Sequence, residues 1–391
     1  MRMHATQAGD GQYYIVASCP DRQDHIGAAS AAYAQIADVL RETGTEIVHE
    51  RLFGSLGVHP AVMAARREAL SAKDVPATGP VTYIQGRPPW GEGLSGIIIH
   101  AVGPVEAGDR VWTVTEGDVP RGRAWRRRGA AFLVLQNIQG LSGDPASGSD
   151  RPSQVRRMIE RAEQLLQQQG ATFRDVLRTW FYLSDILSWY DRFNQARSAK
   201  YAEFGLLPAS GAAGPLLPAS TGIQGDAPGE AAGTLDLLAM AAPASARPAV
   251  QVLRNPAQQD ASCYGSAFSR GVLVREPDVT LIQVSGTAAV DEKGISLHPG
   301  DVRAQIGSCL DKIEALLTPV GAGLADICAA AVFVKRPEDA TVFWQMAADR
   351  GLGDFPGVCV VADICRDELL FEIDAEAAIG GRRVSPSPSA R

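Results

Sequence analysis

Apolar positions along the chain follow one recurring order: a run at helical spacing, a glycine, then a strand-like apolar run. The order occurs three times, as AAYAQIADVLRETGTEIVHERLFGSL from Ala31, RMIERAEQLLQQQGATFRDVLRTWFYLSDI from Arg157, and CLDKIEALLTPVGAGLADICAAAVFVKR from Cys309. Gly44, Gly170 and Gly321 mark the helix stops, about one small domain apart. A second helix is expected after each strand, over 60–72, 189–204 and 338–350, and extended segments over 81–103, 216–241 and 358–380 close the units. A strand before the first helix is clearest in AAFLVLQNIQG from Ala130 and VTLIQVSGTAAV from Val279. Each unit therefore reads β, α, β, α, β, β, an α+β fold with a mixed sheet and both helices on one face. Such a sheet leaves its other face and an edge uncovered, so the three units are expected to close around a shared axis as an intrachain pseudo-trimer. Three unrelated α+β domains are the alternative. The boundaries expected are 1–118, 119–248 and 249–380, followed by a disordered tail at 381–391. A Gly/Pro/Ala/Ser-rich stretch between Leu206 and Ala249 reads as an extended, structured loop.

Composition narrows the chemistry. In 391 residues, 46% are hydrophobic and 21% charged, as in ordinary globular proteins, while 40 Gly and 24 Pro signal many turns. The net charge of −7 argues against nucleic acid or anionic membrane as a partner. The basic run RGRAWRRR at 121–128 reads as a solvated strand edge, or else as a guide for an anionic substrate. No apolar stretch approaches the roughly 20 residues of a membrane span. The N-terminus lacks a signal-peptide pattern, so the expected location is cytoplasmic. Six cysteines without a CxxC pair read as buried free thiols, and isolated histidines offer no metal site. GEGLSG at 91–96 leads into a β-branched run instead of a helix, so it is no phosphate cradle. Ser142 and Ser220 lack the frame of an activated serine.

The segments NPAQQDASCYGSAFSRG from Asn255, LIQVSGTAAVDEKG from Leu281 and AAAVFVKRPEDATVFWQM from Ala329 resemble the YjgF/RidA family, with a worn copy in NIQGLSGDPASG from Asn137. That resemblance implies a small trimeric fold with ligand clefts between subunits. Gly357 stands where the deaminases of that family carry an arginine, which speaks against imine deamination. A narrower resemblance lies in GRPPWGEGLSG from Gly86, WYDRFNQARSAKYAEFG from Trp189, LPASTGIQG from Leu217, CYGSAFSRG from Cys263 and VFVKRPED from Val332. Together these blocks resemble the chorismatase family, most closely its dihydrodiol-forming members that supply macrolide starter units. The resemblance implies a RidA-like core made from one chain, and a monomer is expected. It also implies hydrolysis of chorismate to pyruvate and a ring acid, with no cofactor and no metal. A RidA-like scaffold that binds a metabolite without turning it over is the competing class.

Cleaving an enol ether requires a proton on its terminal carbon, hence an acid kept neutral by an apolar site. The resemblance implies a glutamate in the VFVKRPED motif, which makes Glu338 the expected acid; Asp339 is read as a surface group. Donors for the substrate carboxylates are sought in Arg197 and Tyr201 of the FNQARSAKY helix and in Ser220, Thr221 and Gly222 of PASTG, with Tyr264 on the opposite wall and Gln139 as a weaker candidate. The resemblance also implies that an aromatising enzyme, which makes 3-hydroxybenzoate, carries a cysteine seven residues before its catalytic glutamate. From Glu338 that position is Ala331, with Ala244 as the second discriminating position, and Cys328 is three residues off register. The expected product is therefore (3R,4R)-3,4-dihydroxycyclohexa-1,5-diene carboxylate, with 3-hydroxybenzoate as the alternative.

Overall fold

The computed structural model describes residues 1–19, 24–141, 150–207, 217–242, 246–258 and 266–384. Its first unit comprises β1 (Arg2–Gln7), β2 (Gln12–Ser18), α1 (His25–Thr43), β3 (Glu46–Gly54), α2 (His59–Ser71), β4 (Thr82–Gln85) and β5 (Leu94–Val102). The second has β6 (Arg110–Glu116), β7 (Val119–Arg127), β8 (Ala130–Gln139), α3 (Arg151–Gln168), β9 (Val176–Leu183), α4 (Tyr190–Glu203), β10 (Ala219–Gln224) and β11 (Gly233–Met240). The third has β12 (Ala249–Leu253), β13 (Gly271–Arg275), β14 (Thr280–Ala288), α5 (Val302–Leu317), β15 (Ile327–Val334), α6 (Asp339–Asp349), β16 (Gly357–Val361) and β17 (Phe371–Ile379), and β18 (Arg382–Val384) follows it.

The repeat is written in its caps. Asp24, Asp150 and Asp301 accept backbone N–H bonds at the starts of α1, α3 and α5. Gly44, Gly170 and Gly321 close the same helices at φ of 64°, 73° and 80°, where a side chain would be strained. Each unit forms a six-stranded mixed sheet, the first completed by β18, in which the strand after the first helix runs antiparallel to the last strand of the unit and parallel to the one after the second helix. Before its first helix the first unit contains one more strand than the hydrophobic pattern indicates, and the second and third contain two more, because hairpins such as β1–β2 and β13–β14 start each unit.

Every sheet buries both faces. On one face the helices make a core of their own, as with Ile36 and Leu40 against Ile97 and Ile99 in the first unit, or Ile306 and Ile313 against Val332 and Ile373 in the third. The other faces of all three sheets meet in one central core. There Phe53, Tyr182 and Phe333, one from each unit, approach with ring centroids 6.1 and 6.3 Å from Phe53. The intrachain pseudo-trimer expected from the sequence is the observed architecture.

Two expectations need correction. The tail begins with an ordered strand: β18 pairs antiparallel with β1, matching Ala5 to Val384, because the open edge of the first sheet offers ladder partners to a polar segment. Residues 385–391 lie outside the described residues. The basic run is an inter-unit clamp rather than a solvated edge: Arg127 is buried, donating to Asp278 at 2.7 Å and to Glu276, and Arg128 reaches Asp278 at 2.9 Å and Asp10 at 3.0 Å. Cys309, Cys328 and Cys359 are free and buried, Cys19 is buried, and no described helix is long and apolar enough to cross a membrane.

Candidate active site

A cleft of about 550 Å³ opens where the helix side of the second unit meets the sheet end of the third. Helix α4 brings Arg197, β10 brings Ser220 and Gly222, and the third unit supplies Phe268, Arg270, Cys365, Arg366 and Glu372.

Arg197 is held by stacking. Its guanidinium lies 5.1 Å from the Phe193 ring, 5.7 Å from Phe268 and 5.9 Å from Phe181. It donates to Asn194 at 2.7 Å and makes a long contact of 3.5 Å to Ser220 Oγ, but among the described residues it makes no ion pair. A buried cation without an anion is poised for an anionic ligand. Arg270 stands 5.4 Å from the Phe268 ring, and Arg366 is tied to Ser296 and the Gly294 carbonyl. The cleft wall thus carries three guanidinium groups.

The same lining holds a single carboxyl, Glu372. Glu372 lies second on β17, with Asp374 and Glu376 following on the same face because side chains alternate along a strand. Burial, and next the like charge of Asp374, push Glu372 up to about 8, with Arg178 opposing. At neutral pH this group is mostly a neutral acid. Its oxygen rests on Gly286: a Cβ there would lie 2.1 Å from Glu372 Oε1. Gly286→Ala should therefore leave thermal stability nearly unchanged, since a flexible side-chain end yields, yet displace the acid and lower turnover at least tenfold; unchanged kinetics would remove Glu372 from the reacting position.

Behind the acid, the Thr221 hydroxyl donates to Asp374 at 2.9 Å and accepts from Arg178 at 2.6 Å and from the Gly286 N–H at 3.1 Å. It connects the cleft to charges near the axis, where Arg51 and Arg178 each stand 4.7 Å from the Trp180 ring and Arg51 reaches Glu376 at 2.7 Å. Ser220 is fixed across the unit boundary, its N–H donating to Ser285 Oγ at 2.8 Å and its hydroxyl accepting from Thr179 at 2.9 Å.

The structure gathers Arg197, Ser220 and Gly222 in the cleft and sets Thr221 on the reverse face of β10, against Asp374. Tyr201 is instead a core residue, 5.3 Å from the Phe173 ring and pushed up to about 12 by burial, because it sits on the sheet-facing side of α4. Gln139 ends β8 and donates to Asn137 at 3.0 Å and Thr234 at 3.3 Å, outside this cleft. Glu338 is the largest correction. It is exposed at the N-terminal end of α6 and lines no part of the cleft. Ala331 is buried in the central core opposite Asp374, likewise away from the cleft lining. Tyr264 and Ala244 lie outside the described residues.

Sequence reasoning missed Glu372, Arg270, Arg366 and Cys365. A signal existed: FEIDAEAAI places three acids at alternating positions in an otherwise buried strand, an expensive pattern without a chemical reason. The acid is also specific to one unit. Glu372 pairs with Phe333, and the residues paired with Tyr182 and Phe53 are Thr234 and Gly96.

Three sheet-and-helix units closed around one axis give this single chain a RidA/YjgF-like fold. Residues 266–379 match the Endoribonuclease L-PSP family. A chorismatase of Streptomyces hygroscopicus is 27% identical over 302 residues, covering 71% of this chain and 78% of that one. A crystal structure of chorismatase superposes with a TM-score of 0.61 at 20% identity, covering 96% of this chain and 99% of that one. The chain is thus similar over most of its length to a chorismatase, and its third unit is similar to the Endoribonuclease L-PSP family.

Proposed function

We propose that the chain cleaves chorismate, releasing pyruvate, with Glu372 as the general acid. The observation that carries this reading is one carboxylic acid, its pKa raised by burial, sharing a single cleft lining with three arginines. Chorismate has two carboxylates for the arginines and an electron-rich enol ether for the acid. In the hydrolytic course Glu372 transfers its proton to the terminal methylene carbon, and the ether carbon becomes an oxocarbenium ion. Water adds to that carbon and returns a proton to Glu372. The hemiketal then collapses, its bond to the ring oxygen breaks, and the oxygen leaves with the ring and gains a proton. Asp374 contributes by disfavouring the ionised form of its neighbour.

The product follows from the acid's position. Seven residues before Glu372 is Cys365, which lines the same cleft and whose thiol burial pushes up to about 12, so it stays neutral. That cysteine favours the aromatising course, in which chorismate divides into 3-hydroxybenzoate and pyruvate with no net uptake of water. The dihydrodiol product, and with it a starter-unit role, drew on Ala331, which does not line the cleft. The cleft is completed within one chain, which supports action as a monomer.

The test is incubation with chorismate, reading pyruvate and the ring acid by mass. Pyruvate with 3-hydroxybenzoate supports the whole reading, and pyruvate with the diene diol retains the acid and overturns the product. No pyruvate at all rejects the activity in favour of a metabolite-binding scaffold. Because only protonated Glu372 is competent, kcat should be flat below pH 7 and fall about tenfold per unit above pH 8. A rate that instead rises through this range would assign a base.

A further inference from the structure

The pseudo-threefold arrangement builds a second cleft where the third unit meets the first, and it is the larger of the two, about 880 Å³ against about 550 Å³. It is assembled from corresponding elements. Helix α6 stands where α4 does, and Cys359 on β16 stands where Gly222 does on β10. Ser18, paired with Gly96, stands where Ala288, paired with Glu372, does.

Its chemistry differs in two respects. The position of the acid is Gly96, where a Cβ would lie 2.5 Å from the Ala17 carbonyl oxygen and 2.7 Å from Val358 Cγ2. No side chain fits there, so this cleft cannot carry the acid that works in the first. The walls are aromatic, made by Trp90, Trp344 and Phe355, and Trp90 is fixed by its Nε1–H donating to the Cys19 carbonyl at 2.9 Å. Ser18, Ser95 and Thr341 add hydroxyls, and Arg2 is the single charged group in the lining. One cation, three hydroxyls and flat apolar walls suit a planar ring with one carboxylate and a hydroxyl, whereas the three arginines of the first cleft suit a dianion.

We propose that this second cleft is a non-catalytic binding site for a planar aromatic monocarboxylate. The inference stands on the cleft itself and does not depend on which product the catalytic cleft releases.

The test is equilibrium dialysis of the full chain with 3-hydroxybenzoate, and with cyclohexanecarboxylate as the non-planar control. An Arg197→Met background weakens anion binding in the catalytic cleft. There, one equivalent of 3-hydroxybenzoate should remain bound, at least tenfold tighter than the control. Trp344→Ala should weaken that binding at least tenfold while chorismate turnover in the otherwise wild-type chain stays within twofold. Thr341→Trp, on the exposed rim, should abolish binding by filling the cleft without disturbing the core. Absence of saturable binding in the Arg197→Met chain, equal affinity for the control, or binding indifferent to both cleft variants would overturn the proposal. Failure of the catalytic reading would appear separately, as absent pyruvate from the wild-type chain.

Discussion

Glu372→Gln should lower pyruvate release from chorismate by about a hundred- to ten-thousand-fold, the contribution of a positioned general acid. Glu338→Gln should leave it within twofold, because Glu338 is exposed at the start of α6, away from the cleft. The pair of variants assigns the acid in one assay. Stability supplies an independent readout with a definite sign. A carboxyl at about 8 in the folded chain and about 4.3 when unfolded contributes stability that is fully present below pH 4.3. That stability is lost as pH rises through 8 and the loss levels off above it. The amide of Gln does not titrate, so the variant should gain on the wild type between pH 5 and 8, by an amount on the order of 5 kcal/mol at full ionisation. Thermal melts of both proteins at pH 5 and pH 8.5 measure the difference. A constant gap would mean that the carboxyl is not protonated in the fold.

Arg197→Met should lower kcat/KM for chorismate by more than tenfold, mainly through KM. The guanidinium is buried among Phe181, Phe193 and Phe268 with no ion pair among the described residues, so a substrate carboxylate would be its first anionic partner in a water-poor setting. Charge pairs of that kind are worth about 2–5 kcal/mol when one partner is removed. Methionine keeps the apolar stem, so the three rings retain a neighbour and the fold should persist. Steady-state kinetics beside a thermal melt separate the outcomes. An unchanged KM would leave carboxylate recognition to Arg270 and Arg366.

The architecture was legible in the chain because it depends on short-range rules repeated three times. Helical spacing ending at Gly44, Gly170 and Gly321 is set by local backbone chemistry, and those glycines do take left-handed conformations. The extra hairpin strands were harder to see, since β13 is only five residues long and reads like part of a loop. Site residues on the FNQARSAKY helix and the PASTG strand were partly legible, as Arg197, Ser220 and Gly222 show. Thr221 and Tyr201 were not distinguished from them, because which face of a strand or helix meets a neighbouring unit is a long-range outcome. Glu338 misled for the same reason. A glutamate after an apolar strand looks sheltered in sequence, but the helix start it occupies projects into solvent. Glu372 becomes neutral through burial by distant segments and the like charge of Asp374, which together outweigh the opposing charge of Arg178.

The state of the Glu372 carboxyl can be read by infrared difference spectroscopy of the wild-type chain against Glu372→Gln. A protonated carbonyl band present at pH 6.5, titrating away near pH 8 and perturbed when chorismate is added, is the result this account predicts. A carboxylate band already complete at pH 5 would contradict it.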